Sequence, residues 1–90
     1  MGKETRLFKS EERKSRSDVS AFVRELAEKI SEGQVVLRQG QEELTLQLPP
    51  HLILEVQVEE EDKGAKGTQH SLEVEIKWYD DEQGGPLELG

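Results

Sequence analysis

Gly33 separates two hydrophobic periods. Before it, Val19, Phe22, Val23, Leu26, Ala27 and Ile30 recur at i, i+3, i+4, i+7, i+8 and i+11, one stripe of a 3.6-residue helix. After it, apolar and polar residues alternate. Val35 and Leu37 form one such run, and Leu44, Leu46 and Leu48 a second. Leu52, Leu54, Val56 and Val58 form a third, and Leu72, Val74, Ile76 and Trp78 a fourth. A period of 2 marks strands with one apolar and one polar face. The expected fold is α+β, with one amphipathic helix packed on one face of a four- to five-stranded, mainly antiparallel sheet. The fifth strand would come first, from Leu7 and Phe8 in TRLFKSEE, giving the order β-α-β-β-β-β.

The punctuation fits this reading. The helix is expected over Asp18 to about Glu32, with Ser17 or Ser15 as N-cap. Gly33 would take the left-handed position past its end. Glu25 and Lys29 stand in the favourable i, i+4 order. Gly40-Gln41 fits a two-residue type II′ hairpin, which sets Leu37 opposite Leu44, Val35 opposite Leu46 and Arg38 opposite Glu43. Pro49-Pro50-His51 would turn the chain, with Leu46 then opposite Leu54. Glu59 to Gln69 reads as a mobile, charged hairpin loop. Two registers of the last hairpin keep the apolar parity: Glu55 opposite Glu75, or Glu55 opposite Lys77. Like charges directly opposed are destabilising, so Lys77 is the expected partner. Residues 1–79 would form one domain, frayed at its first residues, and residues 80–90 a flexible acidic tail.

Composition excludes several chemistries. The 90 residues include no cysteine, which removes disulfides, thiol nucleophiles and thiolate metal sites. No apolar run reaches the roughly 20 residues of a membrane span, and the first residues lack the apolar stretch of a signal peptide. The expected location is the cytoplasm. The net charge of −8 is uneven. Residues 1–16 hold six basic and three acidic side chains; the rest hold six basic and seventeen acidic. The body should repel phosphate backbones, so nucleic acid could be met only through the basic N-terminal arm.

Three segments together resemble the amphi-Trp domain family: LFKSEERKSRSDVSAFVRELAEKISEG, VVLRQGQEELTLQLP and LEVEIKW. The family is named for an amphipathic strand ending in tryptophan, here Trp78. The resemblance covers about Arg6 to Tyr79. It implies a small prokaryotic domain of uncharacterised function, alone or as a module, and carries over no catalytic residue.

The side chains point away from catalysis. No phosphate-binding, nucleophile-elbow or zinc-protease motif occurs. His51 and His70 would lie at opposite ends of a sheet, too far apart to share a metal. Glu59–Asp62 lacks the alternating ligands of a calcium loop and reads as a solvated run. No cofactor or metal is expected, and the protein is read as a non-enzyme. The expected function is a small acidic interaction module, binding an unknown protein partner or itself as a weak homodimer through sheet surface. The alternative is a nucleic-acid-associated protein using the basic arm. One helix is narrower than four strands, so apolar surface near Leu48, Leu52 and Trp78 is the expected contact site. The polar sheet face, with Arg38, Glu43, Glu55, Glu73 and Lys77, is a further candidate surface.

Overall fold

The structure, a computed structural model, describes residues 2–80. It is α+β: helix α1 (Arg16–Glu32) and strands β1 (Gln34–Gln39), β2 (Glu42–Gln47), β3 (Ile53–Asp62) and β4 (Thr68–Lys77), with a short 3-10 turn at Gly64–Lys66. The chain divides after Leu48 into two compact units. The strands pair as two antiparallel two-stranded sheets, β1–β2 and β3–β4.

In the first unit, α1 spans 17 residues, about 25 Å. Ser15 caps it: its side-chain oxygen accepts from the Asp18 N–H at 3.0 Å. The helix thus begins two residues earlier than Asp18, and Ser17 lies inside it. Gly33 ends it with φ 88°, and its N–H donates to the Ile30 carbonyl at 3.0 Å. A side chain there would strain the left-handed backbone. Lys29 pairs with Glu32 at 4.0 Å, where Glu25 was the expected partner.

The β1–β2 hairpin has the expected register, with Val35 opposite Leu46, Leu37 opposite Leu44 and Arg38 opposite Glu43. The Arg38 guanidinium donates to Glu43 at 2.6 Å. Gly40 has φ 60° and Gln41 has no positive φ, the pattern of a type II′ turn. The Leu48 N–H donates to the Gly33 carbonyl at 2.9 Å, extending the ladder by one step. α1 packs on β1. Val35 is buried, while Leu26, Ile30, Leu37, Leu44 and Leu46 are half-buried.

Three expectations need correction. No strand precedes α1 among the described residues. Phe8 instead turns half-buried toward α1 and lines an open groove with Val19, Phe22 and Val36, while Leu7 stays exposed. One bulky pair in a charged stretch is too little apolar surface to hold a strand. The ladder expected between Leu46 and Leu54 is not formed, for β2 and β3 belong to separate sheets. The residues between them include Pro49 and Pro50, neither of which has an N–H to donate. Finally, β3 and β4 run through the supposed loop, leaving only Lys63–Gly67 between them. Cross-strand pairing holds Glu59–Asp62 in a strand that composition argues against. The expected tail, beyond Asp80, lies outside the described residues.

Candidate functional site

The second unit is a hairpin of two ten-residue strands. Its turn is held by three short bonds. The Lys63 N–H donates to the Gly67 carbonyl at 2.8 Å and the Gly67 N–H to the Gly64 carbonyl at 2.9 Å. The Gly64 N–H donates to Asp62 Oδ1 at 2.8 Å. This closure sets Asp62 opposite Thr68, and every pair down the ladder follows. Val58 faces Leu72, Val56 faces Val74 and Leu54 faces Ile76.

The register is not the one expected. Glu55 stands opposite Glu75, and Lys77 opposite Ile53. The expected ion pair forms nonetheless, along the diagonal. Lys77 Nζ donates to Glu55 Oε1 at 2.7 Å and lies 3.8 Å from Glu75. A diagonal neighbour on one sheet face is within reach of a long side chain. One ammonium between two carboxylates offsets the repulsion on which the other register was preferred. The hydrogen bond from Lys77, and then its charge, hold Glu55 below the ordinary carboxylate value; the same bond raises Lys77.

Further along that polar face, Gln57 Nε2 donates to Glu59 at 2.6 Å. A hydrogen bond with Glu59, followed by its charge, pushes Glu73 up. Both residues are exposed, so that bond and the neighbouring charge, rather than a dry cleft, cause the shift. On the opposite face His70 Nδ1 lies 3.2 Å from Glu60. His51 is exposed before β3. Among the described residues no three metal-ligating side chains converge, and no helix is long and apolar enough to cross a membrane.

The other face is apolar and open. Leu54 is 67% exposed, Val56 58%, Val58 71%, Leu72 71% and Val74 60%; only Ile76 is half-buried. In β3 and β4 no residue is buried. Of the residues anticipated as a contact site, Leu52 directly precedes β3 and Trp78 directly follows β4. The ladder ends at Ile53 and Lys77, and by parity Leu52 and Trp78 fall in phase with Leu54 and Ile76. Both are half-buried. Leu48, also half-buried, belongs to the first unit, following β2. The alternating stretch thus reads Leu52 and Trp78, Leu54 and Ile76, Val56 and Val74, Val58 and Leu72, running from half-buried at the open end to exposed toward the turn.

The exposed part, Leu54–Val58 and Leu72–Val74, was assigned to a core beneath the helix by its parity alone. The signal that separates the two cases is the size of α1, whose stripe packs on β1. The stripe is itself incompletely used: Val19, Phe22 and Val23 are 49%, 57% and 52% exposed.

Neither a curated protein nor a solved structure matches the chain. A family model does match it, the Amphi-Trp domain, over residues 1–90. With the amphipathic β4 running straight into Trp78, the chain belongs to the Amphi-Trp domain family.

Proposed function

We propose that the protein is a non-catalytic interaction module whose binding surface is the apolar face of the β3–β4 hairpin. One observation carries this reading. Five large aliphatic side chains in cross-strand register are each more than half exposed. A two-stranded hairpin is marginal in water without a further element on its apolar face, and contiguous apolar surface of this kind marks contact sites. The opposite face, rich in carboxylates, keeps the hairpin soluble and gives it one binding side. Leu52 and Trp78 supply the anchored end of that side.

The basic arm is the weaker candidate. Lys9 lies 3.8 Å from Glu11 and Lys14 lies 3.1 Å from Glu12, so part of its charge is answered locally. Its one aromatic residue, Phe8, is half-buried in the groove beside α1 rather than presented with the basic side chains.

Photo-crosslinking tests the reading. With p-benzoylphenylalanine in place of Val56, irradiation in native lysate should join the chain to another polypeptide, of its own kind or foreign. The same group in place of Gln57, on the opposite face, should not. Crosslinks confined within one chain at position 56, or equal yields from both positions, would overturn it.

A further inference from the structure

We propose that the outer edge of β3 is a docking site for an extended peptide segment in which Lys or Arg alternates with aliphatic residues, added antiparallel as a third strand. This edge is separate from the apolar side of the hairpin and stands or falls independently of it.

The first ground is the backbone. The Lys63 N–H donates to the Gly67 carbonyl, so these two form a hydrogen-bonded pair. Every second rung of the register repeats it: Glu61 with Gln69, Glu59 with Ser71, Gln57 with Glu73 and Glu55 with Glu75. The rungs between them turn the N–H and C=O groups of Leu54, Val56, Val58 and Glu60 away from β4. β3 pairs with no other strand, and all ten of its residues are exposed. No backbone bond reaches its outer side among the described residues. Only extended chain completes such an edge, because a helix already pairs its own N–H and C=O groups.

The second ground is charge. Residues 49–90 hold three basic and eleven acidic side chains. On its polar side β3 carries Glu55, Gln57, Glu59 and Glu61 and no cation, whereas β4 ends in Lys77. Lys77 answers Glu55, and Lys63 lies 3.1 Å from Glu61. Glu59 and Glu73 have no paired cation among the described residues. A hydrogen bond between the two, then their charge, pushes Glu73 up. A cation arriving beside Glu59 relieves that crowding, since opposite charges across a strand pair are favourable and like charges are not.

The third ground is what the edge refuses. A second copy that laid β4 there in the register of the hairpin would set Glu75 against Glu55. The chain's own basic arm does not alternate: Leu7 and Phe8 are adjacent, so one bulky side chain would fall on the charged side. An alternating cationic strand continues both sides at once. Its aliphatic residues extend the row of Leu54, Val56 and Val58, and its cations face Glu55, Glu59 and Glu61.

NMR titration of the full chain with synthetic peptides, ends blocked, at about 0.15 M salt tests the site. The heptapeptide Lys-Val-Lys-Val-Lys-Val-Lys spans Glu55 to Glu61. It should bind and shift the amides of Val56, Val58 and Glu60 more than those of Leu72 and Val74. Its valines carry the N–H groups that face β3, and its lysines carry those that face away. N-methylation of the three valines should therefore weaken binding roughly tenfold or more, while N-methylation of three lysines should leave affinity within about twofold. The glutamate counterpart, Glu-Val-Glu-Val-Glu-Val-Glu, should not bind. Glu59→Lys in the protein should weaken the lysine peptide about fivefold. Equal affinity of the two N-methylated forms would mean ionic association alone and would overturn the proposal. So would the absence of any shift at millimolar lysine peptide, equal binding of the glutamate peptide, or larger shifts along β4 than along β3. None of these outcomes bears on the apolar side, which photo-crosslinking from position 56 tests by itself.

Discussion

The two hairpins obey the same alternation and meet different fates. In β1–β2 the face bearing Val35, Leu37, Leu44 and Leu46 is buried or half-buried, α1 packs on β1, and Val35 is 5% exposed. In β3–β4 the corresponding face bears Leu54, Val56, Val58, Leu72 and Val74, and no residue of either strand is buried. The longer hairpin is the barer one. Alternation records that a face must be taken out of water; it does not record by what. The helix at hand matches six-residue strands, and the ten-residue pair is left with more apolar surface than its own unit supplies cover for.

The largest expected effect contrasts one valine from each hairpin. Val35→Ala should cost about 2 kcal/mol, the loss of buried methyl groups and the space they leave. Val58→Ala, at a position 71% exposed, should stay within about 0.5 kcal/mol in protein diluted below association. Urea midpoints measure both. Equal losses would erase the distinction between a covered and an open face.

A smaller effect asks whether α1 supports one hairpin or both. Ser15→Ala removes the cap bond to Asp18 and should cost about 1 kcal/mol, close to a fivefold change in opening. Amide exchange at Val35 and Leu46 should quicken accordingly in dilute protein, while Gln57 and Glu73, a hydrogen-bonded pair of the second ladder, keep their rates. Ser17→Ala should leave all four unchanged. Faster exchange throughout would show that the two hairpins share one cooperative unit.

The smallest effect sharpens the register. In a carboxyl titration followed by NMR, Glu55 should take up its proton below 4.5 and Glu73 above it. The linkage gives opposite signs. On acidification Glu73 is protonated first, which relieves its repulsion from Glu59 and adds stability above 4.5. Protonating Glu55 then removes its bond to Lys77, and stability falls below that value. Coincident midpoints for the two residues would contradict the diagonal pairing.

Local rules made much of the first unit legible. The stripe from Val19 to Ile30, the stop at Gly33 and the Gly40-Gln41 turn each follow from a few neighbouring residues, and two-residue turns leave a hairpin no choice of register. The second hairpin escaped the same treatment for two physical reasons. Its five-residue turn depends on bonds among Asp62, Lys63, Gly64 and Gly67 that composition does not reveal. The rule against opposed like charges also ignored the reach of Lys77 across the diagonal. The carboxylates of Glu59–Asp62 hid a strand because propensity is weaker than the pairing that Ser71, His70, Gln69 and Thr68 provide. Leu52 and Trp78 stand out in the sequence, but that they flank the same end of one ladder is visible only once the register is fixed.

The carboxylates along β3 and β4 have a consequence for polymerisation. A flat hairpin with two open edges and an oily side is the ordinary starting point of a cross-β fibril, in which copies add edge to edge. Here such growth, repeating the register of the hairpin, would alternate Glu55 with Glu75 at a spacing of about 4.8 Å, one unbroken column of like charge. Each copy brings one Lys77 to two carboxylates of that column, half of what neutrality needs. The hairpin is thereby free to present an apolar side to a discrete lid, while the endless ladder that the same side invites is shut off from its edges.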